Sequence, residues 1–167
     1  MSADNQQERL DTNWIVGFVD GEGCFHIAIN KLDKMSQGWQ VLPEFRVVQH
    51  ERDEKVLHKL KDYFGFGKVT INRRDHHGTR KEFRVRGLKD LNELVTFFEK
   101  HQFQTDSKIR KFKAFSDVIE MMNEKKHLTK EGLDKIAKIV SEMNRKPDLR
   151  YLESSETIRQ TPFENKG

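Results

Sequence analysis

The chain has a single cysteine, Cys24, among 167 residues, which rules out an internal disulfide and any metal site built on several cysteines. That scarcity suits a reducing compartment and predicts an intracellular protein, in the cytoplasm or an organelle matrix. Long apolar runs are also missing. No stretch approaches the roughly 20 consecutive apolar residues of a membrane span, and the opening MSADNQQERLDTN has neither a basic region nor an apolar run of a secretory signal. Neither membrane association nor secretion by a standard signal is expected. A glycine-rich nucleotide loop and a Ser or Cys nucleophile constellation are absent as well, so no small-molecule cofactor is expected.

What is present is charge and phenylalanine. Charged and hydrophobic residues each make up 35%, so the core must be economical, yet 12 Phe argue against disorder. The length is that of one ordinary domain. The net charge of +4 is unevenly spread. Between Lys68 and Arg86, seven cations face two anions, a local +5 that marks a polyanion binder.

Periodicity orders the chain. Asp11, Thr12 and Asn13 are possible N-caps for a helix with Trp14, Ile15, Phe18 and Val19 at helical spacing, closing in a glycine-rich turn. Its Gly17 and Gly21 lie four apart on one face, where another backbone could approach, at a cost of about 1 kcal/mol each relative to Ala. From Gly23 the period becomes two: Phe25, Ile27 and Ile29 share one strand face, and Cys24, His26, Ala28 and Asn30 the other. The run WQVLPEFRVVQ sets Val41, Pro43, Phe45 and Val47 against Gln40, Leu42, Glu44, Arg46 and Val48, with Pro43 suggesting an edge or a bulge. Helical spacing returns through Val56, Leu57, Leu60, Tyr63 and Phe64 and stops at Gly65 and Gly67. A second hairpin sets Val69 and Ile71 against Lys68, Thr70, Asn72 and Arg74, and Phe83 and Val85 against Glu82, Arg84 and Arg86. Three helical segments follow, the last with Thr129 as N-cap, then a polar tail with one helical turn around SSETIRQ. The order α-β-β-α-β-β-α predicts an α+β fold: an antiparallel sheet with helices on one face and a basic face left free.

The segment IVGFVDGEG, Ile15 to Gly23, resembles the LAGLIDADG motif, and the chain is similar to single-motif LAGLIDADG homing endonucleases over residues 10–125. The resemblance implies a saddle-shaped sheet with its core over about 10–125; with the helix patterned near 129–144 packing on it, one domain is expected over residues 1–145, and the polar, weakly patterned residues 146–167 read as a tail. It also implies an intron-encoded enzyme that cuts a long double-stranded DNA site by Mg²⁺-dependent phosphodiester hydrolysis. In that family the motif helices of two copies pack through small residues, which assigns Gly17, Asp20 and Gly21 to a dimer interface, Asp20 as a stabiliser of helix ends. Glu22 is the implied metal ligand, together with the main-chain carbonyl of Gly21. One carboxylate per chain makes a homodimer the unit that assembles a pair. Gln49 and Lys108 match the family's active-site Gln and Lys, with Lys111 or Lys113 as alternatives in another register. Homodimeric relatives place an Arg four residues beyond that Gln. Here Asp53 stands there, so either Arg52 takes the role or the periphery is rewired.

The outward parity nominates His26, Ala28, Asn30, Gln40, Glu44, Arg46, Lys68, Thr70, Asn72, Arg74, Glu82, Arg84 and Arg86 as DNA contacts. A symmetric dimer would read a pseudo-palindromic site centred on the two Glu22 residues. The alternative is a non-cleaving binder on the same scaffold, an intron-splicing maturase or a transcription regulator. Single-strand RNA binding is disfavoured, because the strand faces lack paired exposed aromatics. Asp75, His76 and His77 read as solvent or phosphate contacts in a polar turn.

Overall fold

The computed structural model describes residues 9–144. Asp11 opens helix α1 (Thr12–Glu22): its Oδ1 accepts from the backbone N–H of Asn13 at 2.9 Å and of Trp14 at 3.2 Å. Two donors that a first helical turn leaves unpaired are thereby satisfied. The helix passes without a loop into β1 (Gly23–Lys31). Gly23 permits that junction, because a Cβ there would lie 2.5 Å from Val19 Cγ1 and 2.8 Å from the Val19 carbonyl oxygen.

The order continues with β2 (Trp39–His50), a 3₁₀ turn (Glu51–Asp53), α2 (Glu54–Phe64), β3 (Lys68–Asp75) and β4 (Gly78–Val85). Helices α3 (Leu88–Lys100), α4 (Asp106–Asn123) and α5 (Lys130–Asn144) follow. The four strands form one sheet in the order β1-β2-β4-β3, with β4 antiparallel to both β2 and β3. This is the α+β arrangement expected from the periodicities.

Two compact units divide the described chain: residues 9–26 with 43–119, and 27–42 with 120–144. In the first, Phe25 is the hub. Its ring centroid lies 5.0 Å from Phe45, 5.1 Å from Phe115 and 5.3 Å from Phe112, tying β1 to β2 and α4. Phe83 of β4 adds edge contact with Phe45 at 6.4 Å and stacks on Phe64 of α2 at 6.3 Å. A chain poor in apolar residues thus builds its core from tilted and edge-on rings, each of which buries a large area. In the second unit, Gly38, at φ 73°, closes the β1–β2 connection by accepting from Leu32 N–H at 2.8 Å. Thr129 caps α5, its hydroxyl accepting from Gly132 N–H at 3.1 Å, and Leu133, Ile136, Ala137 and Val140 are buried. The turn expected around SSETIRQ and the tail over 146–167 lie outside the described residues.

Two local expectations change. Pro43 sits in an interior strand rather than at an edge; the ladder to β4 starts at Phe45, so Pro43 lies where β2 is unpaired on that side. The β3–β4 ladder slips between Ile71, which faces Lys81, and Arg73, which faces Arg80. The extra residue, Asn72, reverses the alternation beyond it. Arg74, expected on the face of Lys68 and Thr70, therefore opposes Thr79 on the other face, and Arg73 takes its place beside Arg80.

Candidate active site

Helix α1 ends on Glu22, whose carboxylate is exposed in the turn where the helix dipole already concentrates negative charge. No basic residue in that last turn offsets it. Such a placement is poor for the helix and good for a cation. The carbonyls of this turn, Gly21's among them, have no amide partner further along the helix. Gln49, at the end of β2, donates Nε2 to Glu22 Oε2 at 3.4 Å.

Lys108 reaches the same junction through a relay that starts in α1. Asp20 accepts from Gln104 N–H at 2.8 Å, Thr105 N–H at 3.2 Å and the Thr105 hydroxyl at 2.5 Å. Thr105 in turn accepts from Ile109 N–H at 3.0 Å as the first carbonyl of α4, so Asp20 fixes where that helix begins. Lys108, in the first turn of α4, then donates its Nζ to the Gly23 carbonyl. Burial pushes the Lys108 ammonium below its ordinary value; Lys111 adds to that drop, while Cys24, Asp20 and Glu22 oppose it. Lys111 and Lys113 are exposed, and Lys113 pairs instead with Asp117 at 3.4 Å.

Burial pushes the Asp20 carboxyl up, but the Thr105 hydroxyl, the two backbone N–H groups and Lys108 outweigh it and hold the group below its ordinary value. The stabilisation is complete above the usual carboxylate range and is lost as pH falls through the lowered value. Asp20→Asn is therefore expected to lower neutral-pH stability by about 1 kcal/mol, with the gap in Tm closing in strong acid. An equal gap at both pH values in thermal melts would remove the carboxylate from this role.

Of the residues expected at the dimer seam, Asp20 is thus spent inside its own chain. Gly17 and Gly21 are exposed, and a Cβ at either would meet nothing within 4 Å. Trp14, Gly17, Phe18 and Gly21 share one face of α1 by their spacing, whereas Ile15 and Val19 are buried on another. Trp14 is 45% exposed and stacks on Phe18 at 4.8 Å. Nothing among the described residues requires that stripe of two rings and two glycines. Arg52 and Asp53 share the 3₁₀ turn, and Arg52 Nε pairs with Asp53 Oδ2 at 3.6 Å, so Arg52 is engaged by the residue standing where an Arg was expected.

On the sheet, Glu44 and Glu82 depart from the expected solvent-facing role, being only 8% and 4% exposed. Each is held by donors: Glu44 by Arg86 at 2.8 Å and Arg46 at 3.5 Å, Glu82 by Asn72 at 2.9 Å and Arg84 at 3.2 Å. Lys68, Asn72 and Arg86 are exposed, while His26, Arg46, Thr70 and Arg84 are half-buried. Burial pushes the His26 imidazole below its ordinary value, Glu44 opposing and Arg46 reinforcing the shift. Ala28, Asn30 and Gln40 belong to the second unit, where Asn30 is exposed and the other two are half-buried. Arg73 and Arg80 were missed by strict alternation. The Arg73–Arg74 doublet fits either parity, and only the bulge decides between them. Asp75 Oδ1 accepts from His77 N–H at 2.9 Å, shaping the hairpin turn. Among the described residues, no three His, Cys, Asp or Glu side chains cluster as a metal site, and no helix is long and apolar enough to cross a membrane.

The profile described as LAGLIDADG endonuclease matches residues 15–119. Over 129 residues, 77% of this chain and 24% of the relative, the sequence is 32% identical to probable intron-encoded endonuclease 3 of Neurospora crassa. The fold is similar to that of a homing endonuclease, I-TnaI, with a TM-score of 0.82 and 46% identity over 90% of this chain and 99% of that one. It is also similar to I-SmaMI bound to uncleaved DNA with calcium ions, with a TM-score of 0.79 and 29% identity over 95% of this chain and 54% of that one. The chain spans 24 to 29% of the length of three curated fungal relatives that it matches at 32 to 33% identity.

Proposed function

Because the chain belongs to the LAGLIDADG endonuclease family, we propose that it is a site-specific double-strand DNA endonuclease acting as a homodimer, in which Glu22 of each protomer supplies one carboxylate to a shared centre. The observation that carries this reading is the end of α1. There an exposed carboxylate sits against the helix dipole, flanked by Gln49 and Lys108, beside a bare face of glycines and rings. One protomer supplies one such carboxylate, so one protomer alone is half a site. A twofold axis through the Gly17 and Gly21 face doubles the count.

Glu22 and the Gly21 carbonyl are the groups that would hold a divalent cation such as Mg²⁺, as oxygen donors of the hard kind that ion prefers. When bound, the ion supplies a hydroxide nucleophile and offsets charge at the scissile phosphate. Lys108 keeps a positive charge beside that position, where it neutralises phosphate or yields a proton to the leaving oxygen. Gln49 orients the Glu22 carboxylate. Affinity comes from the cationic hairpin, where Lys68, Arg73 and Arg80 neutralise phosphates without reading sequence. One domain over residues 1–145 does this work and reads a long pseudo-palindromic site, in a protein encoded, like its named relatives, within an intron.

Selection of cleaved duplexes from a randomised library tests the reading. Near-palindromic sites are expected to be cut with Mg²⁺ and bound without cutting when Ca²⁺ replaces it. Selection of bound sites with no cut duplex under Mg²⁺ would point instead to a binder that does not cleave.

A further inference from the structure

We infer that Glu44 and Glu82 are positioning residues for base recognition: nearly buried carboxylates that hold Arg46, Arg84 and Arg86 in fixed poses on the sheet face. The inference rests on the DNA-binding reading above. It starts from a conflict in the ladder, where Arg46 of β2 stands directly opposite Arg84 of β4. Like charges at facing positions repel. The conflict is resolved one residue-pair step away on each strand. Arg46 leans to Glu44 at 3.5 Å and Arg84 to Glu82 at 3.2 Å, and Arg86, beyond the end of β4, closes on Glu44 at 2.8 Å. His26 Nδ1 stands 3.9 Å from the same Glu44 oxygen that Arg46 approaches.

A carboxylate this deeply covered is costly unless it is paired, and both are paired. Three guanidinium groups against two carboxylates leave the cluster positive, and each guanidinium carries five N–H donors, most of them unused by these contacts. Such arginines are already ordered before DNA arrives, so less freedom is lost on binding and a wrong base cannot be met by a different rotamer. Glu82 adds Asn72, the bulged residue, at 2.9 Å, which brings an amide suited to adenine into the same fixed row.

The test is a binding selection on randomised duplexes in Ca²⁺, comparing wild type with Glu44→Gln, Glu44→Asp, Arg46→Ala and Arg86→Ala. Glu44→Gln is expected to flatten base preference about tenfold at the positions that Arg46→Ala and Arg86→Ala also flatten. Its affinity for non-target duplex should rise, since a negative charge is lost. Glu44→Asp, which keeps the charge, should retain the preferred bases. A wild-type preference profile in Glu44→Gln, or a uniform loss on all sequences, overturns the inference. Should Glu44→Gln not fold by circular dichroism, Glu82→Gln against Arg84→Ala decides in the same terms. A wild type that selects no sequence overturns the DNA-binding reading itself, and this inference with it.

Discussion

Glu22→Gln is expected to slow cleavage roughly 10³-fold or more while leaving site-specific binding in place. Glutamine keeps the size of the side chain and its contact with Gln49 Nε2, now through the amide oxygen, and removes only the charge. The hairpin cations assigned to phosphate binding, Lys68, Arg73 and Arg80, lie on β3 and β4 and are left untouched by the substitution. The stability readout separates function from structure. Glu22 sits at the negative end of α1 with no basic residue in the last turn, so removing its charge should raise Tm slightly. A residue that is unfavourable where it stands and indispensable for turnover is what a cation ligand looks like. Single-turnover cleavage with Mg²⁺ and gel shift with Ca²⁺ measure the two halves. Undiminished cutting would take Glu22 out of the mechanism.

The second large effect is at the seam. Gly17→Leu and Gly21→Leu are expected to convert the proposed homodimer to monomer and to abolish cleavage, while the fold survives. A Cβ at either position meets nothing within 4 Å among the described residues, and each change replaces a helix-breaking glycine with a good helix former. The isolated protomer should therefore gain up to about 0.5 to 1 kcal/mol per site. Sedimentation and thermal melts read the two effects separately. An intact dimer of both variants would place the contact elsewhere on the molecule.

The parts of the fold visible in the amino-acid string are those decided within a few residues. Asp11 and Thr129 cap the helices they precede, and the switch from a helical to a two-residue period at Gly23 marks the α1–β1 junction, because both depend on neighbours in sequence. Strand order does not: alternation says which residues share a face, and nothing in it sets β2 beside β4. The bulge at Asn72 is equally silent, since inserting one residue changes parity without changing composition, and strict alternation therefore puts Arg74 on the wrong face of the strand. The candidate site divides along the same line. The motif nominates Glu22 and the glycines, but the contact from Asp20 to Thr105 joins residues 85 apart, and the clasp of Arg86 on Glu44 joins residues 42 apart. Glu44 and Glu82 alternate outward like their neighbours, and only the arginines folded over them turn two surface carboxylates into buried anchors.

Whether one catalytic centre is built from two protomers can be read from a mixed dimer. Wild-type and Glu22→Gln protomers carrying different affinity tags are combined, the heterodimer is purified through both tags, and its cleavage of the selected duplex is followed strand by strand. Loss of double-strand cleavage in the heterodimer, with wild-type binding retained, is the predicted result. Cutting of both strands at the wild-type rate would show that a single Glu22 suffices and that no second protomer's carboxylate is needed.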